Sequence, residues 1–102
     1  MSRIPPEVID EVHQRSNEHC EACGRSLPAE GGVMHHRKLR KQGGKDEAIN
    51  LMEVHSVCHN GHTYAIHSKV KRSQRLGHIV KMGFDPADVA VQVEPNLFHL
   101  AA

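Results

Sequence analysis

Within forty residues the chain sets out Cys20 and Cys23, a histidine doublet His35-His36, then Asn50, and a second cluster in which His55, Cys58 and His59 follow closely. Cys-x-x-Cys and His-x-x-Cys are the spacings at which two tight turns each offer two soft ligands to one tetrahedral zinc ion. Cys20, Cys23, His55 and Cys58 therefore read as a Cys3His structural site, although His59 and His62 lie close enough that either could replace one member of the second pair. No such cavity survives in an unfolded chain, so binding the metal would contribute directly to folding. The doublet offers a different chemistry. One imidazole can ligate a divalent ion while its unliganded neighbour takes a proton from water. The bland alternative is a solvated pair of rings beside a basic loop.

These groups need elements to position them. Pro5-Pro6-Glu7 supplies a helix start, and Val8, Ile9 and Val12 then share one face of a short helix reaching about Arg15. Gly24, directly after Cys23, can take the positive φ that turns backbone amides toward thiolate sulfur. Val33 to His36 and Leu51 to Val54 read as short strands, separated by an exposed, glycine-containing basic loop from Lys38 to Asp46. On a strand the two doublet rings point to opposite faces. From about His59 to Leu76 the apolar residues Ala65, Ile66, Val70 and Leu76, with no proline, predict a helix capped by Gly77. His78-Ile79-Val80 reads as a returning strand, and Asp85-Pro86-Ala87-Asp88 as a turn opening a final helical turn. Strand, loop, strand and helix form a ββα unit with zinc at its base.

Bulk composition sets the limits. At 102 residues, with 38% hydrophobic residues, three aromatics and no Trp, the chain is one domain with a thin core that calls for a staple. Three cysteines cannot all pair within one chain, and the N-terminus shows neither a signal peptide nor a spanning helix. A reducing cytoplasm and a metal staple are expected, with no membrane association. The net charge of +1 hides a segregation: Arg37 to Lys81 holds ten basic and three acidic residues, whereas the remainder holds three basic and nine acidic. Such a distribution is the footprint of a polyanion partner, because each neutralised phosphate releases counterions. Arg37, Lys38, Arg40, Lys41 and Lys45 would meet the phosphates of such a partner, with Lys69, Lys71, Arg72 and Arg75 extending the contact. Tyr64, Phe84 and Phe98 are the only aromatics, so no base-stacking platform is expected and sequence preference should be weak.

Taken together, Cys20-x-x-Cys23, Met34-His35-His36-Arg37-Lys38-Leu39-Arg40, Gly43-Gly44, Asn50-Leu51 and Cys58-His59-Asn60 resemble the HNH endonuclease family. The His-His-Arg-x-x-Arg-x-x-Gly-Gly run is similar to small HNH nucleases of phage genomes. The resemblance covers roughly residues 18 to 93. It implies an α+β fold, a small zinc-stapled ββα-metal (His-Me finger) domain with an N-terminal helix and a C-terminal helical extension. The corresponding divisions are 1–17 for the N-terminal helix, 18–93 for the nuclease domain and 94–102 for a C-terminal tail. It implies that His36 is the general base, that His35 and His59 hold a catalytic divalent ion, and that Asn50 ties down the loop between the strands. The implied reaction is metal-dependent hydrolysis of double-stranded DNA, leaving 5′-phosphate and 3′-hydroxyl ends. Mg²⁺, Mn²⁺ or another divalent transition metal would serve, beside the structural Zn²⁺.

The chain departs from the family pattern in two places. His55 stands where the second knuckle has Cys, and Thr63 stands where relatives often carry a second helical His. His62 and His67 are the alternatives for that last ligand, and an alignment shifted to His67 would leave His59 spare. His13, His19, His78 and His99 read as ordinary surface or partly buried histidines. A rival reading keeps the zinc and the basic surface but leaves the doublet idle. The protein would then be a non-catalytic zinc-knuckle DNA-binding module or an accessory to a phage terminase in genome packaging, in the host cytoplasm.

Overall fold

The first helix, α1 (Pro6–Ser16), opens with proline at its first position, where a missing N–H costs nothing, and stops at Asn17 in the left-handed conformation (φ 50°). The computed structural model describes residues 3–60 and 65–97. After α1 come β1 (Val33–His36), β2 (Leu51–Val54), α2 (Ser56–His59) and α3 (Val70–Arg75), with single 3-10 turns at Arg40–Gln42, Ala48–Asn50, Ile66–Ser68 and Pro86–Asp88. The two strands pair antiparallel, Val33 opposite Val54 and His36 opposite Leu51. Both have the bounds that the sequence predicts, and α1 runs one residue past its expected end.

β2 is buried along its whole length, and its pleat separates two packing surfaces. Leu51 joins Val12 and Ala48 beneath α1, flanked by half-buried Ile4, Val8 and Met34. Met52 and Val54 join Cys20, Ala22, Cys23, Cys58, Ile66, Leu76 and Leu97 in the second cluster. Three of those nine side chains are cysteines, so the larger apolar cluster is built around the candidate zinc ligands. Glu53, facing α1, is buried yet fully engaged: it accepts from Ser16 Oγ (2.6 Å) and the Gly32 amide (2.9 Å), and contacts His13 Nδ1 (2.8 Å). Arg15 completes the stitching. Its guanidinium pairs with both oxygens of Glu21 and donates to the carbonyls of Ala48 and Leu51.

Two expected elements differ. The single helix from His59 to Leu76 is instead α2, the turn Ile66–Ser68 and α3, with Asn60 and Ala65 in extended conformations. Geometry gives the reason. Eight residues along a straight helix would separate His59 from His67 by about 12 Å, whereas their ring centroids lie 4.8 Å apart. His78-Ile79-Val80 forms no strand; the Val80 amide donates to the Arg37 carbonyl as an isolated bond. The turn at Asp85 is present, with Asp85 Oδ1 accepting from the Ala87 amide at the head of the last 3-10 turn. From there the chain runs back over the domain. Gln92 and Glu94 amides donate to Leu76 and Ala22 carbonyls, and Leu97, within the expected tail, is buried in the core.

Gly77 ends α3 at φ +79°, and a Cβ there would fall 1.9 Å from the Ala90 carbonyl oxygen. Gly43 has a similar φ of +91° but open space around it. We therefore expect Gly77→Ala to destabilise the fold by about 3 kcal/mol or more, and Gly43→Ala by about 1 kcal/mol, in urea unfolding. Equal losses would contradict the close approach of the C-terminal segment.

Candidate active site and metal centres

The sequence around Cys20 folds into a tight hairpin: Cys20 and Arg25 share a backbone bond, the Gly24 amide donates to the Cys20 carbonyl, and Gly24 takes φ +81°. β2 delivers His55, and α2 delivers Cys58 three residues later. The ligand atoms of Cys20, Cys23, His55 and Cys58 all lie within 4.8 Å of one another. A tetrahedral zinc with bonds near 2.3 Å has ligand separations of about 3.8 Å, so the set is compatible with that ion. The orientation of His55 fits the same reading. Its Nε2 donates to the Ser26 carbonyl (2.8 Å), leaving Nδ1 to face Cys23 Sγ at 3.5 Å and Cys58 Sγ at 3.9 Å. The three thiols do not ionise alike. A hydrogen bond from Cys58, opposed by burial and assisted by backbone amides of Cys23, His55 and Ala22, holds Cys20 down at about 4. Cys58 is pushed up by donating to Cys20 and by burial, and Cys23 chiefly by burial. A divalent cation relieves this crowding of negative charge.

The second cluster is His35, His59 and His67, from β1, α2 and the Ile66–Ser68 turn, with one nitrogen of each ring within 4.8 Å of the others. His35 is buried, and its Nε2 donates to the His78 carbonyl at 2.6 Å. Its Nδ1 has no hydrogen-bond partner. A buried, unpaired nitrogen is costly unless it has a use, and here it belongs to the ring facing two other imidazoles. His59 and His67 approach with Nε2 atoms 3.1 Å apart. Burial, then the neighbouring rings, drives His35 down to about 3, and burial followed by His67 lowers His59. His35 and His59 are thus suited to hold a divalent cation as neutral ligands, with His67 beside them. The structure brings both His59 and His67 to His35; His62 lies outside the described residues.

His36 follows the pleat to the other side. Its Nε2 lies 2.7 Å from Asp46 Oδ1, and the residue lines a cleft of about 260 Å³ together with His67, Val70, Gln74, Lys81 and Met82. Asn50 is buried and ties the intervening loop: Oδ1 accepts from the Lys38 amide (2.8 Å), while Nδ2 donates to the carbonyls of Lys38 (3.0 Å) and Lys45 (2.9 Å).

The basic surface needs two corrections. Arg37 is almost wholly buried, its guanidinium donating to the carbonyls of Ile49, Gly77, Pro86 and Val89, so it fastens the C-terminal segment rather than meeting solvent. Arg72 is likewise buried and donates to the Leu97 carbonyl. Arg40 is exposed but paired with Asp46. Lys41, Lys45, Lys71 and Arg75 are exposed, and Lys38 and Lys69 partly so. His78 is not a surface histidine: it is fully buried, its Nε2 donating to the Gln92 carbonyl. From the sequence Asp46 reads only as the end of the basic loop, and His78 only as an ordinary histidine. The only available signal for Asp46 was its place among few acids in a strongly basic stretch.

Residues 20–64 match the sequence model of the HNH endonuclease family. The stretch from the first cysteine pair past the second is thus similar to the HNH endonuclease family, and the small α+β architecture with its Cys3His cluster is compatible with a zinc-bound ββα fold. No curated protein and no solved structure matches the chain. No helix among the described residues is long and apolar enough to cross a membrane.

Two outcomes follow. Removing metal with a strong chelator should unfold the domain cooperatively, because a structural zinc supplies on the order of 10 kcal/mol to such sites; an unchanged circular dichroism melt would contradict this. Acid should also destabilise the fold. His35 and His78 are held below the ordinary value of 6.5 by burial, so below that pH the unfolded chain binds more protons than the folded one. Stability is expected to fall as pH drops from 6.5 toward about 3. His78→Gln should make the decline in urea midpoint shallower, whereas an unaltered slope would remove His78 from the account.

Proposed function

We propose that the chain is a metal-dependent DNA endonuclease in which His36 takes the proton of the attacking water. The observation that carries this reading is the convergence of His35, His59 and His67, with the unpaired Nδ1 of His35 among them, in a chain whose next residue is a half-buried histidine. A divalent ion held by those three residues would supply the positive charge that stabilises the departing 3′-oxygen, the harder half of phosphodiester cleavage. His36, its side chain 18% exposed, can meet water at the cleft. Removing a proton there turns water, a poor nucleophile, into one strong enough to attack the phosphodiester.

Asn50 contributes by holding the loop that follows the doublet, so that His36 is not free to drift with the surface lysines. Lys41, Lys45, Lys71 and Arg75 attract and position the phosphate backbone without reading bases. A donor set made only of imidazoles suits Mn²⁺, Co²⁺, Ni²⁺ or Zn²⁺ better than Mg²⁺, which prefers oxygen ligands. The products would carry 5′-phosphates and 3′-hydroxyls, which direct religation of the cut duplex would report.

The test is plasmid cleavage with each of these ions. His36→Ala should lose about 10²- to 10⁴-fold in rate while keeping its melting temperature and duplex affinity. Cleavage unaffected by that change would assign the base elsewhere, and an inactive parent that still binds DNA would favour a non-catalytic binding or packaging-accessory role. Lys71→Ala with Arg75→Ala should reduce the slope of log affinity against log salt by about two; an unchanged slope would move the DNA surface off α3.

A further inference from the structure

His36 has a partner that the proposed reaction leaves unused. Its Nε2 lies 2.7 Å from Asp46 Oδ1, and Arg40 grips the same carboxylate from the other side, Nε at 3.0 Å from Oδ1 and Nη2 at 3.1 Å from Oδ2. Asp46 is thus the middle of a chain Arg40–Asp46–His36, held within one loop by the 3-10 turn Arg40–Gln42 and by the bonds of Asn50 to Lys38 and Lys45. The bond to Arg40, and then that to His36, keeps the Asp46 carboxyl below its ordinary range. An ionised carboxylate can only accept, so the hydrogen between Asp46 and His36 must sit on Nε2. In the neutral ring the lone pair then resides on Nδ1. His35 is locked in the same sense, its Nε2–H spent on the His78 carbonyl.

We propose that Asp46 is a positioning residue for the endonuclease argued above: it fixes His36 in the Nε2–H tautomer and makes Nδ1 the atom that receives the proton. This rests on the endonuclease reading. In the step concerned, a water O–H bond breaks, its proton goes to His36 Nδ1, and the hydroxide forms the new bond to phosphorus as the bond to the 3′-oxygen breaks. That oxygen takes a proton from solvent, and His36 later returns its own to solvent. The imidazolium formed midway faces a carboxylate at hydrogen-bonding distance, which favours the transfer electrostatically. Arg40 serves a second purpose. Paired with Asp46 it leaves no net charge, so an acid can stand beside an approaching phosphate without repelling it.

Two measurements test this. In plasmid cleavage with Mn²⁺, Asp46→Asn retains the side-chain shape but introduces an amide that can donate to His36 and select the other tautomer. It should lower kcat by about 10- to 100-fold with KM and duplex affinity within about twofold, the scale for groups that orient a reacting side chain. In a His36→Ala background the same substitution should cost nothing further. A loss confined to KM, no loss at all, or an equal loss in both backgrounds would overturn the proposal. Independently, long-range ¹H–¹⁵N spectra of the zinc-loaded parent should show His36 with its proton on Nε2, and Asp46→Ala should shift that ring toward a tautomer mixture; a Nδ1–H ring in the parent would overturn the assignment. Should the parent fail to cleave with any ion, the endonuclease reading falls, while the ring spectrum still decides whether Asp46 holds His36.

Discussion

The fold depends on holding two short segments together, Cys20 to Cys23 and His55 to Cys58, at a point where apolar side chains alone are few. With one Tyr, two Phe and no Trp in the whole chain, few of the large rings that usually anchor a domain of this size are available. Cysteines take that place, packed against Met52, Val54, Ile66, Leu76 and Leu97. The same cluster that offers four donors to an ion is therefore the centre of the hydrophobic core. Everything near the second histidine cluster inherits its position from this arrangement: β2 leads into the knuckle at His55, β1 is registered on β2, and α2 carries Cys58 and His59 side by side.

One device recurs on the imidazoles. His55 and His35 each spend Nε2–H on a backbone carbonyl, that of Ser26 and of His78, and so turn Nδ1 toward a cluster of donors. A carbonyl can only accept, so the choice of tautomer is made by the fold before any ligand arrives. At His35 the buried Nδ1 is left without a hydrogen-bond partner. This is preorganisation in a small protein: rotational freedom is removed from each donor by the backbone rather than by the ion.

Much of this was legible in the residues, for reasons that can be named. β1 and β2 were readable because short apolar segments sit between turn-forming loops, and the clustering of Cys20, Cys23, His55 and Cys58 because two i, i+3 pairs of soft ligands rarely arise without a shared ion. The break between α2 and α3 was not readable. Nothing in Ala65, Ile66 and Val70 contradicts a helix; it is interrupted because His59 and His67 must both face His35, a tertiary demand with no local signature. Charge counting identified a basic region but could not tell an arginine facing solvent from one facing carbonyls. Arg37 and Arg72 share their composition with the surface and their location with the core.

Arg37 carries a broader consequence. A permanent cation enclosed by four carbonyls, drawn from Ile49, Gly77, Pro86 and Val89, is satisfied only while the last of these remain in place. Excising the chain after the family-matched stretch would remove three of the four carbonyls, and a buried cation that loses its partners costs about 3–5 kcal/mol, a large share of a small domain's stability. The family-matched segment and its trailing wrap are thus one inheritance. Shuffling the short motif into another scaffold would have to bring the wrap along, or first exchange this arginine for a side chain content without it.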